Sequence, residues 1–135
     1  MTLMALDIGE RRVGIAISDS GILATPHSVL YRKSKKEDFS RLQRLIIELK
    51  VDRVIIGLPY SLNSDEPMGP QARRVKKYAD ALAKVASVPF DFVDESYSTV
   101  DAEAYLATTG QKKVPIDAAA AAVILQKYLD NLRTI

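Results

Sequence analysis

Cysteine and tryptophan are absent from the 135 residues, and histidine occurs once, at position 27. Without cysteine the chain has no disulfide and no thiolate nucleophile, and a lone histidine cannot build a structural zinc site. A serine–histidine–aspartate triad would have to use His27, which follows Pro26 in an extended-looking segment. No apolar run approaches the roughly 20 residues of a membrane span, so no membrane partner is expected. The chain does not open on a basic stretch followed by an apolar segment and a small-residue cleavage site, which argues against a secretory signal. Absence of cysteine fits a reducing compartment, and the expected location is cytoplasmic. Any hydrolytic chemistry then falls to carboxylates and a hard divalent ion, Mg²⁺ or Mn²⁺.

What is present is ordinary in total and uneven in distribution. With 47% hydrophobic and 27% charged residues, the composition is that of a globular protein, and the length suits one domain over 1–135. Net charge is only +2. The basic residues nevertheless cluster, as Arg32, Lys33, Lys35 and Lys36, then Arg73, Arg74, Lys76 and Lys77, then Lys112 and Lys113. Such clusters form either phosphate-binding surfaces or solvated faces of helices and loops.

Residues 2–7 and 12–18 read as two strands joined by a short turn containing Gly9, hence a hairpin. Residues 22–31 read as a third strand, with Pro26 placing it at a sheet edge. Phe39, Leu42, Leu45, Ile46 and Leu49 recur at helical spacing. "DRVIIGLP" is a short apolar strand of the kind buried on both faces, and a polar loop over 60–70 follows. The next helix turns Ala72, Val75, Ala79, Leu82 and Ala86 inward and its basic cluster outward. "VPFDFVDE" is a fifth strand, 98–108 a short helix capped by Ser98 or Thr99, and the last helix starts near Asp117. Helix-linked strands are parallel with right-handed crossovers, which gives a five-stranded mixed sheet in a three-layer α/β domain.

Three acids hold suggestive positions. Asp7 ends the first strand, Glu95 ends the fifth, and Asp117 begins the last helix. Ligands of open α/β sheets collect at the carboxyl ends of parallel strands, where the first and fifth strands both deliver an acid. The Ala118–Ala122 run lets the last helix approach the sheet closely, which would bring Asp117 near Asp7. Converging carboxylates repel unless cations neutralise them, and paired Mg²⁺ or Mn²⁺ ions drive phosphodiester hydrolysis. Taken singly, each acid also suits a strand end or a helix start. Gly57 reads either as a close approach to substrate or as a turn before Pro59.

The segments "ALDIGERRVGIAISD", "VIIGLPYSLN", "GPQARRVKKYADAL", "FVDESYSTVDAEAYL" and "PIDAAAAAVILQKYLD" resemble, in order and spacing, the YqgF (RuvX-like) family of the RNase H-like superfamily. That family is described as Holliday-junction-resolvase-like and as candidate pre-16S rRNA nucleases. The resemblance implies an RNase H-like fold with strand order 3-2-1-4-5, strand 2 antiparallel and helices on both faces. It implies a divalent-metal nuclease using two Mg²⁺ or Mn²⁺ ions, and it places the family's acids on Asp7, Glu95 and Asp117. The family's usual Asp-Glu-Arg reads Asp94-Glu95-Ser96 here.

The expected function is hydrolysis of structured nucleic acid, with ribosomal RNA precursor as substrate and branched DNA as the alternative. Arg11, Arg12, Arg73, Arg74, Lys76, Lys77, Lys112 and Lys113 would hold phosphates, with Gly9, Gly57 and Thr99 in support. Two other classes stay open. An actin-like or sugar-kinase fold also opens with an Asp-x-Gly hairpin but needs a second domain. A non-catalytic nucleic-acid-binding or ribosome-assembly module would keep the fold without cleavage. Both a monomer and a homodimer are compatible with the chain.

Overall fold

The structure is a computed structural model that describes residues 1–59, 69–94 and 115–133. Its elements are β1 (Leu3–Ile8), β2 (Arg12–Ser18), β3 (Thr25–Tyr31), α1 (Lys35–Glu48), β4 (Arg53–Leu58), α2 (Pro70–Val85), β5 (Phe90–Asp94) and α3 (Ile116–Arg133). The strands form one sheet in the order β3-β2-β1-β4-β5, with β2 antiparallel to β1 and β3 and the β1–β4 and β4–β5 pairs parallel. Both order and directions are those expected. The expected helix over 98–108, with its cap at Ser98 or Thr99, lies outside the described residues. Among the described residues no helix is long and apolar enough to cross a membrane.

Local chemistry sets the boundaries. Ser34 caps α1, its hydroxyl accepting from the Glu37 amide at 3.2 Å, and Glu37 and Asp38 complement the positive end of the helix. The helix ends in paired bonds from the amides of Lys50 and Val51 to the carbonyls of Ile47 and Ile46. That closure puts Lys50 at φ 54°, where glycine is more usual. Pro70 opens α2 in the first turn, where its missing N–H costs nothing. The third strand begins at Thr25 rather than at residue 22. Gln126 takes the preceding backbone instead: its side chain accepts from the Ala24 amide at 3.0 Å and donates to the Ile22 carbonyl at 2.9 Å.

Strand alternation divides the core. Met4, Leu6 and Ile8 of β1 face α1 and α2, packing with Leu42, Ile46, Val75, Tyr78 and Leu82. Leu3 and Ala5 face α3, packing with Ala16, Ile55, Ile124, Leu125 and Leu129. The first face also buries a charge. Asp38, on the apolar side of α1, is 1% exposed and accepts from the Lys33 amide at 2.9 Å. Its carboxylate meets Arg41 at 3.3 Å, Arg32 at 3.8 Å and the Tyr78 hydroxyl at 3.3 Å. Arg32 lies over the Tyr78 ring at 4.5 Å, and Phe39 meets that ring edge-on at 5.0 Å. Burial, and after it the Asp38 carboxylate, hold the Tyr78 phenol far above its ordinary value of 10.0.

Removing one partner of a buried charge network strands the others. Asp38→Ala is expected to cost about 3 kcal/mol in chemical denaturation, the low end of the range for a broken buried pair because both arginines reach water. Tyr78 ionises at pH near 10 only in the unfolded chain, so stability falls as pH rises above about 10. Tyr78→Phe should flatten that alkaline decline; an unchanged decline would assign it to other groups.

Candidate active site

Asp7 is the penultimate residue of β1, and its cross-strand partner on β2 is Gly14. A Cβ on Gly14 would stand 1.9 Å from the Asp117 carbonyl oxygen and 2.4 Å from its carbon. No side chain fits there, so at Gly14 the strand meets the first turn of α3 backbone to backbone. Paired residues place side chains on the same face, so Asp7 shares the α3 face with that contact. One strand spacing, about 4.8 Å, therefore separates Asp7 from the strand on which Asp117 rests. A second glycine stands on the other side of Asp7. Leu6 pairs with Ile56, so Gly57 is the next residue beside Asp7 on β4. Gly57 lies inside β4, opposite Val93, and not in a turn before Pro59.

Asp117 enters at the first turn of α3, where the Ala119 amide bonds to the Pro115 carbonyl at 3.1 Å and unpaired amides favour a carboxylate. Its side chain is 26% exposed and meets the Arg12 Nε at 3.3 Å. The Gly9–Arg12 turn forms the wall opposite, closed by a 2.8 Å bond from the Gly9 amide to the Arg12 carbonyl. A Cβ on Gly9 would press on that carbonyl at 2.9 Å, which is why glycine stands there. Residues 9–12 and Asp117 line an open cavity of about 240 Å³.

Asp7 and the first turn of α3, which carries Asp117, thus lie at the same end of the sheet, the carboxyl edge of the parallel strands. Glu95, the third expected acid, lies outside the described residues, as do Lys112, Lys113 and Thr99. Among the described residues no three acids or histidines form a metal-holding group. The expected phosphate-holding residues are divided between two faces. Arg11 and Arg12 stand exposed on the turn, with Arg12 committed to Asp117. Arg73, Arg74, Lys76 and Lys77 project from α2, which packs on the opposite face of the sheet from α3. Arg74 reaches back to Glu10 at 3.8 Å, whereas Lys76 binds Asp80 at 3.0 Å and lies over the Phe92 ring at 4.9 Å. Asp91, which fits no converging pattern in the sequence, is structural: it accepts from Arg53 at 2.9 Å and from the Tyr128 hydroxyl at 2.8 Å.

A family model described as RuvX, Holliday junction resolvase, matches residues 1–131. The chain belongs to the RuvX family. Its members are hydrolases acting on phosphodiester bonds. Relatives named "Putative pre-16S rRNA nuclease" include one from Syntrophomonas wolfei, 43% identical, with 97% of this chain and 95% of that protein covered. Another, from Thermoanaerobacter pseudethanolicus, is 37% identical, with 97% of each chain covered. Among solved structures, RuvC from T. thermophilus in complex with a Holliday junction substrate superposes with a TM-score of 0.64 at 16% identity, covering 98% of this chain and 96% of that one. The RNase H-like fold implied by the sequence motifs of this RuvX chain is the fold observed.

Gly14 escaped the sequence reading because it sits inside an apolar strand, past the hairpin turn, where no turn of its own calls for glycine. The signal was there. In a hairpin closed around residues 9–12, position 14 falls opposite position 7. Gly14→Ala should drive a methyl into the Asp117 backbone and destabilise this RuvX protein by about 2–3 kcal/mol or more, the cost of overpacking. Gly69→Ala, where a Cβ meets nothing within 4 Å, should cost no more than about 1 kcal/mol, the loss of a glycine at the α2 N-cap. Equal thermal shifts for the two would remove the backbone contact as the reason for Gly14.

Proposed function

We propose that this chain is a divalent-metal-dependent nuclease that processes the 5′ end of pre-16S rRNA in the cytoplasm. The observation that carries the reading is the placement of Asp7 and Asp117 on one edge by a backbone contact that no side chain interrupts. The donors present are carboxylate oxygens, the ligand chemistry of Mg²⁺ and Mn²⁺. Asp7 and Asp117 would hold the metal, with Glu95 completing the set as the sequence resemblance implies. When bound, a pair of such ions supplies an activated water and stabilises the departing oxygen, so no side-chain nucleophile is needed.

The chain's own residues do the rest. Strand β1, paired on both sides, holds the Asp7 backbone, and the glycine at position 14 makes room for the Asp117 main chain, which seats α3 beside it. Arg12 sets the Asp117 carboxylate through their 3.3 Å contact. Arg11 and Arg12, carried on one short turn, would hold phosphates flanking the cut, which positions a strand without reading its sequence. The cations of α2 would hold phosphates further from the edge.

A second reading, resolution of branched DNA, is favoured by the family description and by the RuvC superposition. Cleavage of a 5′-extended precursor rRNA fragment and of a four-way DNA junction, side by side in Mn²⁺ or Mg²⁺, separates the two. The RNA should be cut and the junction left whole, with Asp7→Asn and Asp117→Asn each lowering the rate at least about 100-fold. Cutting of the junction alone would transfer the assignment to DNA. Retained cutting in both variants would remove the two acids from the site.

A further inference from the structure

On the opposite face of the sheet from Asp117, a cavity of about 220 Å³ opens between the Gly9–Glu10 turn and α2. Its apolar wall is Ile8, Val75 and the buried Tyr78. Arg32, Lys35, Arg74 and Lys77 surround it, against the single carboxylate of Glu10. Ile8 follows Asp7 directly, and alternation sends the two side chains to opposite faces. The cavity is therefore distinct from the acidic edge while sharing its turn.

We infer that this cavity binds the terminal phosphomonoester of a nucleotide, either at the 5′ end of a strand or free. Size, charge and rigidity support this ligand. At about 220 Å³ the space falls below the roughly 300–1,000 Å³ of pockets for drug-sized ligands, and suits a phosphate with its sugar. It is also more enclosed than the shallow groove by Arg73, Lys76 and Lys84 further along α2, so it suits a strand's end better than its passage. A monoester carries about −1.5 to −2 charges at neutral pH, against −1 for a diester. Four cations facing one acid favour the more highly charged group.

Arg32 is held ready. Its Nη1 donates to the Gly9 carbonyl at 2.7 Å, its guanidinium lies over Tyr78 at 4.5 Å, and its Nε stands 3.8 Å from Asp38. A guanidinium already fixed loses little side-chain freedom on meeting an anion. Lys35 and Lys77 are exposed and bring charge from α1 and α2 to either side.

This inference goes beyond the nuclease reading and holds whether or not the chain cleaves. It is tested on the Asp7→Asn protein in EDTA, where binding is scored without cutting. A fluorescent single-stranded RNA hexamer carrying a 5′-phosphate is compared with the same hexamer carrying a 5′-hydroxyl. Adenosine 5′-monophosphate and inorganic phosphate serve as competitors. The phosphorylated end is expected to bind at least about fivefold tighter, and the preference to vanish in Lys35→Glu/Lys77→Glu and to shrink in Arg74→Ala. Unchanged melting temperatures would confirm that these surface variants fold. Competition by the monophosphate without discrimination between the two hexamers would assign the cavity to free nucleotide and keep the inference. Equal affinity for both hexamers with no competition, or a preference undiminished in the double variant, would overturn it.

Discussion

The contact between Gly14 and the Asp117 backbone is the constraint on which the rest depends. Helices normally lie on a sheet through interdigitating side chains, and each layer of side chains adds distance and freedom. Here the first turn of α3 rests on β2 with nothing between at Gly14, and Ala121 and Ala122 continue against Ala5 and Ala16. Both described acids are then placed by main chain: Asp7 by a strand paired on both sides, Asp117 by a helix terminus seated on the neighbouring strand. Carboxylates fixed in this way meet a tighter tolerance than side chains carried on loops. The cost is lost apolar burial, because alanine and glycine bring little surface. Ile124, Leu125 and Leu129 restore it further along α3, where they pack on Leu3 and Ile55.

The opposite face is built differently and steadies the same edge. Its side chains are large, and it buries Asp38 among Arg32, Arg41 and Tyr78. Such a network adds less stability than well-packed apolar groups of the same volume. Its place here follows from where it reaches. Arg32 links the buried carboxylate to the Gly9 carbonyl, so the turn that carries Arg11 and Arg12 is pinned from behind. The edge is thus held on one face by close backbone contact and on the other by a charged strut.

Strand direction and the α3–sheet approach were legible because each follows from a local pattern, a short hairpin followed by helix-linked apolar runs and five consecutive alanines, whereas strand order was legible only through the family resemblance. Asp7 and Asp117 were legible because an acid ending an apolar strand and an acid opening a helix both stand out against their neighbours. Asp38 was not. On a helical wheel it lies beside Phe39 and Leu42 and reads as a first-turn acid, and only α2 packing across it brings Tyr78 to its oxygen. Arg32 reads as one of four clustered cations, and its role emerges only when β3 pairs beside β2 and the chain turns into α1. Partners 40 residues apart in sequence are not encoded in any local period.

The Arg12–Asp117 pair shows how the edge tolerates its own charge. At an effective dielectric of about 20, two like unit charges about 5 Å apart repel by roughly 3 kcal/mol, which is the scale of the cost that a close approach of two acids would meet. Arg12 offsets this from the turn. Yet its side chain is 52% exposed, and an ion pair so wet contributes at most about 1 kcal/mol. The offset comes from a side chain that can swing away at small cost, on a turn whose backbone cannot. Under the proposed nuclease reading, a phosphate at the edge would meet a guanidinium already within reach, and drawing Arg12 to it would free the Asp117 carboxylate. Lysine could balance the charge but could not present two parallel N–H donors to a phosphate, so the identity of residue 12 bears on binding as well as on the resting state.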